Sequence, residues 1–430
     1  MSVATPAYQI LRKSVVGEEN EWVKMWDPPT ESPATPEAVN PTNPVPAFIA
    51  GIFGPQVGAI PNTVRRTLLH GVDLTMFDAK KVHFFLFDDP DIPFTAGGTF
   101  PAPTIRVPRG VIFHGWTQGQ GPPPHTIHWH GIEPTPMNDG VGHCSMELGT
   151  YTYQWQPNFI GSYFYHCHRN TMQHFEFGLY GFLIIESPDA YDNPGEFNNP
   201  GGYPRRTQAN LAGFPQFPGF VGGPLDPSAP HAMTVPYDTE ALWVLDDRDS
   251  TWSDKMKDAR ATFPKHGNQP GINDLFVKGD FHDFNADYFF ATGVNFPGAV
   301  GTSPSLAPGI VVPPDLNSGV TGMQVSINAL VNKTILVRCL CAAYVSIRVT
   351  FPVDIVIIAF DGRALGVPPF AQYSNPFLVK AGTPFELSTA RRFDALIRSA
   401  TPVNSFANVE FINNRGGNTL LNGRIPIVIS

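Results

Sequence analysis

Glycine and proline punctuate this chain at intervals that suit strands joined by turns far better than long helices. Its 430 residues include 45 Pro and 40 Gly, and 33 Phe are distributed among them. Stretches of the Ala, Leu, Glu and Lys that favour helices are few. Short β-branched and aromatic runs alternating with turn residues predict an all-β chain built from sandwiches or barrels. The length leaves room for two or three domains, each able to bury a core of its own.

The punctuation is uneven, and it divides the chain. Residues 1–79 form a Pro-rich extension (DPPTESPATPEAVNPTNPVP) with little periodicity, read as an arm that wraps the remainder. Over residues 80–188, the runs KVHFFLF, TIRVPRGVIFHGW, HTIHWHGI, TYTYQW, GSYFYHCH and GLYGFLIIE alternate with turns, as in one antiparallel barrel or sandwich. Residues 189–238 are rich in Pro, Gly and Asn and read as an interdomain linker. From 239 to 430 a second β domain is expected, with runs such as ALWVLDD, KTILVRCLC and VDIVIIAF.

The formal net charge of −9, spread without long blocks of one sign, argues against a nucleic-acid partner. No apolar run approaches the ~18 residues of a membrane span. The first residues lack the basic start, apolar middle and small-residue cleavage site of a secretory leader, so a cytoplasmic protein is expected unless a leader has been removed. The 4 Cys are too few for a disulfide framework. Cys339 and Cys341 alternate on an apolar run and are expected to be small core residues.

Chemistry concentrates in one region. Ten of the 13 His precede residue 190, and two segments stand out: His125-Thr-Ile-His128-Trp-His130-Gly131, and His166-Cys167-His168 followed by His174 and Leu179. Successive side chains on a strand point to opposite faces. His128 and His130 therefore share a face, as do His166 and His168, while Cys167 and His125 point the other way. The parity predicts two metal sites back to back. One holds His125, Cys167 and His174, provided the chain turns back after His168; the other holds His128, His130, His166 and His168. Two imidazoles and a thiolate form the blue-copper donor set, with Leu179 where a weak axial ligand could lie. Four imidazoles suit copper, zinc or iron. A single His-X-His is usually a polar strand face, but two pairs with a Cys inside one are poorly explained that way. A Cys flanked by His on opposite faces is also badly shaped for one tetrahedral zinc.

These residues resemble the multicopper oxidases (laccases, bilirubin oxidases, copper-efflux oxidases). GTFPAPTIRVPRGVIF is similar to the family's opening strands, HTIHWHGI to its first copper motif, NDGVGHCSMELGTYTYQW to its Asp-Gly turn and next strand, and GSYFYHCHRNTMQHFEFGLYGFLIIE to its His-Cys-His motif. More weakly, ALWVLDDRDSTW, NKTILVRCLC, IVIIAFDGRALGVPP and ELSTARRFDALIRS resemble a metal-free family domain. The resemblance implies two cupredoxin-like Greek-key β-barrels, the second without copper. It further implies a blue type 1 copper on His125, Cys167 and His174, and a second copper site of one to three ions on His128, His130, His166 and His168. Asp139 would orient water and relay protons. The implied partners are a small-molecule or metal-ion reductant and O2.

Three departures modify that picture. The family's full cluster draws histidines from two domains, whereas the second domain here offers only His231, His266 and His282 and no His-X-His. The step from His168 to His174 is longer than usual. Both sites also fall in the first domain. Copper nitrite reductases similarly pair a blue site with a histidine site completed by a neighbouring subunit, although they carry Asp where this chain has His128 and usually no His after the Cys. A nitrite-reductase-like enzyme is thus the first alternative, and a non-catalytic copper or electron-transfer protein the second. Because four histidines on one face cannot enclose a multi-copper cluster, a homotrimer with that face at the subunit interface is expected. His143 and Cys144, beside the Asp139 turn, read either as loop polarity and a buried thiol or as groups near the cluster.

Overall fold

The computed structural model describes residues 63–88, 99–108, 113–119, 125–132, 134, 138–141, 150–155, 157, 159–168, 171–186, 237–262, 283–297, 325–365 and 376–430. Most of the segment expected to link the domains, most of the N-terminal extension, His143, Cys144, His231, His266 and His282 lie outside these residues. Among them, no helix is long and apolar enough to cross a membrane.

The first unit comprises β1 (Thr63–Thr75), β2 (Lys81–Asp88), β3 (Ala102–Pro108), β4 (Phe113–Gly119), β5 (His128–His130), β6 (Thr150–Trp155) and β7 (Gly161–His166), then a short helix α1 (Thr171–Glu176) and β8 (Tyr180–Glu186). They form two four-stranded sheets, ordered β2-β1-β4-β6 and β3-β8-β7-β5. Alternation places one set of side chains from each sheet between them: Phe85, Phe113 and Trp155 from the first meet Trp129, Tyr165 and Leu183 from the second. β1 begins at Thr63, so the first sheet reaches back into the stretch read as a non-periodic extension. Nor is the unit wholly antiparallel, since β1 runs parallel to β4 and β3 parallel to β8. Such pairs require connections that cross from sheet to sheet, which a run-by-run reading of strands does not reveal.

The second unit contains β9 (Thr239–Arg248), helix α2 (Ser250–Thr262), β10 (Tyr288–Ala291), β11 (Val294–Asn295), β12 (Ile327–Ala329), β13 (Ile335–Cys341), β14 (Ser346–Thr350), β15 (Ile355–Phe360), β16 (Arg363–Ala364), β17 (Phe377–Val379), β18 (Pro384–Leu387), β19 (Arg392–Ile397), β20 (Val403–Ile412) and β21 (Thr419–Ile429). One sheet runs β11-β10-β9-β13-β19-β15-β16, with β17 beside β15, and faces a second, β12-β21-β20-β14-β18. Cys339 and Cys341 are buried in the core between these sheets, and burial pushes both thiols up from their ordinary range. They are the small core residues expected.

The two units share surfaces that neither could leave in water. The second sheet of the first unit is apolar on its outer face too, where Phe164, Phe182 and Ile184 pack against Leu242, Val244 and Leu340. Trp252 and Met256 of α2 join the core of the first unit. A buried ionic chain reinforces the seam. Arg106 pairs with Glu240, which also accepts from Arg338 at 2.5 Å; Arg338 reaches Asp394 at 3.2 Å, and the Ser162 hydroxyl donates to the same carboxylate. Each charged side chain of this ionic series faces an opposite charge, as burial demands.

Candidate metal centre

β5 and β7 pair antiparallel in the register His128↔His166, Trp129↔Tyr165 and His130↔Phe164. Trp129 and Tyr165 point into the first core, and Cys167, one step beyond β7, is buried in that same core. The histidines take the other face. His128, His130 and His166 come together with their ligand atoms all within 4.8 Å of one another, and a second group of that kind is His125, Cys167 and His174. Strand parity places two groups back to back; the structure brings His125, Cys167 and His174 together on one side and His128, His130 and His166 on the other, without His168.

In the buried group, His125 Nδ1 lies 3.4 Å and His174 Nδ1 3.1 Å from Cys167 Sγ, with the two imidazole rings 4.5 Å apart. His174 arrives there because the long step after His168 is taken up by α1: the Thr171 hydroxyl donates to the His168 carbonyl at 2.9 Å, and one helical turn swings His174 back over Cys167. Leu179 shares the core with Cys167. Its N–H donates to the His174 carbonyl (2.9 Å) and its carbonyl accepts from the Cys167 N–H (3.0 Å), so three positions of the site are tied through backbone. Two nitrogens and a soft sulfur converging in a buried, apolar setting fit copper that cycles between Cu(I) and Cu(II).

The histidine group is set differently. His166 Nδ1–H donates to the Cys167 carbonyl at 2.8 Å, and His128 Nδ1–H to the Asp139 carbonyl at 2.6 Å. Each bond assigns the proton to Nδ1 and leaves Nε2 with the lone pair a metal needs. His130 stacks on Phe164 with ring centres 4.2 Å apart, and its Nδ1 lies 3.3 Å from His166 Nε2. Burial depresses the basicity of His166 well below its ordinary value. Burial and the nearby Arg392 guanidinium push His130 down to about 3. His168 is lowered as well, by burial and by His128. All three are thus neutral near pH 7, the form that binds metal. His168 stands at the margin, 5.1 Å from the His128 ring and 5.6 Å from that of His166, outside the set of three.

Asp139 does not reach into the cluster. Its carboxylate lies 3.3 Å from His128 Nδ1, on the side of the ring away from the lone pair, so it orients that ring. The turn that brings it there depends on Gly140, at φ +74°, where a Cβ would come within 1.8 Å of the Ile127 carbonyl oxygen. Asn138 fastens the turn to β6 by accepting from the Gln154 N–H at 2.6 Å.

Two groups near these sites have no counterpart in the sequence reading. Arg248, at the end of β9, is fully buried between Glu176 of α1 (3.5 Å) and Asp246 (3.3 Å), and the Tyr180 hydroxyl donates to Asp246 at 2.7 Å. The second unit thereby grips the segment just after His174 at two points, Glu176 and Tyr180. Arg363, Arg391 and Arg392 also approach His128 and His130 around a pocket. The only sequence signal for them was the Arg-Arg pair in TARRFDALIRS, more than 250 positions from the histidines it meets.

Residues 90–190 match the family described as multicopper oxidase. The chain is 32% identical over 147 residues to L-ascorbate oxidase of Cucumis sativus, covering 30% of this chain and 25% of that protein. It is 35% identical over 103 residues to laccase abr2 of Aspergillus fumigatus, covering 23% and 17%. The matches thus span a quarter or less of these relatives. Among solved structures, the blue copper oxidase of Nitrosomonas europaea aligns over 86% of this chain and 85% of its own with a TM-score of 0.50 at 20% identity. The multicopper oxidase mgLAC aligns over 86% of each chain with a TM-score of 0.50 at 18% identity. Likeness at that level of identity establishes shared cupredoxin-like β architecture across both units.

Proposed function

From the match of residues 90–190 to the multicopper-oxidase family, we propose that the chain is a copper-dependent oxidoreductase that takes electrons from a reducing substrate and delivers them to O2. The observation that carries this reading is the register of β5 on β7, which gives Cys167 to one donor group and its neighbour His166 to the other. A thiolate site and an imidazole site are thus joined by a single peptide link, a covalent path short enough for electron transfer.

His125, Cys167 and His174 would hold a blue type 1 copper, and His128, His130 and His166, with His168 beside them, a copper site of one to three ions. Bound there, copper supplies one-electron redox chemistry at the thiolate and O2 reduction at the imidazoles. The protein's own part is positional. Leu179 offers no donor atom, so a copper held by these residues would be favoured as the lower-charged Cu(I). The Cys167 and Asp139 carbonyls fix the imidazole tautomers. Asp139, half-buried at the edge of the cluster, is the group suited to hold water and move protons there. The electron donor would be a small-molecule or metal-ion reductant.

A homotrimer is part of this proposal. His128, His130 and His168 are half-buried rather than enclosed, and a closed ring of chains would set each histidine face against a neighbour. Copper analysis, absorption and O2 uptake test the function together. The copper-loaded chain is expected to show a thiolate-to-copper charge-transfer band and reductant-dependent O2 consumption, both absent from Cys167→Ser. A single copper per chain with no O2 consumption would instead identify an electron carrier.

A further inference from the structure

Beside the histidine cluster, the seam between the two units opens into a pocket of about 550 Å³. That size falls within the ~300–1,000 Å³ of small-molecule sites. His128 and His130 form one wall. The other comes from the second unit, at the turn carrying Asp361 and Arg363 and at residues 389–392 entering β19. Three guanidinium groups face a single carboxylate, that of Asp361, so the lining is cationic while the chain as a whole is anionic.

Each guanidinium is held in place by the protein itself. Arg392 is almost fully buried; its Nε donates to the Ser162 carbonyl at 3.2 Å and its Nη1 to the Ala390 carbonyl at 2.7 Å. The chain passes this close only because residue 131 is glycine, at φ +89°, where a Cβ would lie 2.6 Å from Arg392 Nη2. Arg363 stacks on the Phe159 ring at 4.4 Å, and its Nη1 donates to the Tyr163 hydroxyl at 3.2 Å. That hydroxyl donates in turn to the Gly362 carbonyl at 2.5 Å, docking the Arg363 turn on the first barrel. Arg391 is aligned by Asp361 at 3.1 Å. Fixed guanidinium forks match the paired oxygens of carboxylates and inorganic oxyanions, and little side-chain freedom is left to lose on binding. A concave wall of one sign also concentrates ions of the other.

We propose that this pocket binds a small oxyanion, a carboxylate or an inorganic oxyanion, at the mouth of the histidine cluster. Its placement rests on the reading of that cluster as a metal site; binding of the oxyanion itself does not require metal. An occupant would contact the arginines on one side and lie against His128 and His130 on the other, governing what reaches the imidazoles from the seam.

Calorimetry on the full chain, metal-free and copper-loaded, tests this with sodium acetate and sodium sulfate against sodium chloride at matched ionic strength. Saturable one-site binding is expected in both forms. Tighter acetate would assign the pocket to carboxylates, and tighter sulfate to inorganic oxyanions. Arg391→Gln is expected to weaken binding about tenfold or more. Thr389→Glu, which adds a carboxylate to the exposed rim and keeps all three arginines, should do the same. Arg348→Gln, on the opposite sheet of the second unit, should bind as the parent does. In the copper-loaded chain, the oxyanion should alter the electron paramagnetic resonance of histidine-held copper and leave the thiolate band in place. Heats that follow ionic strength alone, or equal affinity in Arg391→Gln and Thr389→Glu, would overturn the proposal. Because the metal-free arm needs no redox chemistry, such a failure is separable from failure of the oxidase reading.

Discussion

Replacing Arg248 by Met isolates the clamp that the second unit places on the segment carrying His174. Arg248 is completely buried, stacks its guanidinium 4.6 Å from the Phe84 ring, and is the cation set between Asp246 and Glu176. Met keeps most of the apolar contact, so the change removes charge more than volume. Breaking a buried ion pair from one side costs about 3–5 kcal/mol, because the remaining charge is stranded. At about 2–4 °C per kcal/mol for a unit of this size, thermal unfolding should fall by roughly 6–20 °C. The loss should grow with pH, since at low pH the stranded carboxyls can take up protons and escape the penalty. Glu176 already sits well above the ordinary carboxyl range through burial. Thermal unfolding at pH 5 and pH 8, with absorption of the copper-loaded variant, reads both consequences. The charge-transfer band should broaden or shift, because Glu176 ends the helix that delivers His174. Asp246, raised by burial to about 6, is the partner left charged at pH 8, so adding Asp246→Asn should recover part of the stability there, as expected for directly coupled partners. A single variant within about 1 kcal/mol of the parent at both pH values, with an unchanged band, would refute this account.

Three further outcomes are expected. His125→Ala or His174→Ala should abolish the charge-transfer band while copper stays on the histidine face, and His130→Ala or His166→Ala should keep the band while lowering copper content and turnover; all four losing both signals in folded protein would contradict separate sites. Burial, together with the charge of Asp246, pushes Asp247 up to about 8, so the folded chain keeps a proton that the unfolded chain releases near pH 4. That contribution to stability is present in full at low pH and lost as pH rises to about 8, and Asp247→Asn should flatten this part of the stability profile. Light scattering should give a trimer; a monomer that stays active on dilution would exclude a site shared between chains.

The grouping of the candidate donors was readable from sequence because its logic is local. Strand parity needs only neighbours: it separates Cys167 from His166 and joins His128 to His130 without knowing what either strand packs against. Cys339 and Cys341 were equally plain, being small residues inside an apolar run. What escaped was whatever depends on contacts distant in the chain. The parallel pairing of β1 with β4 follows from how connections cross, and β1 itself begins in a stretch whose prolines suggested no strand. Arg248 and Arg392 look in sequence like surface cations. Only packing of the second unit against α1 and Gly131 buries them. His168 marks the limit of parity, since it fixes a face but not the reach of a side chain beyond the end of β7.

The register of β5 on β7 also constrains how this segment can diverge. Because side chains alternate, a slip of one residue would turn Trp129 out among the imidazoles and drive His128 and His130 into the aromatic core, dismantling both donor groups at once. Substitutions can be absorbed singly along these strands, but insertion or deletion of one residue within either cannot.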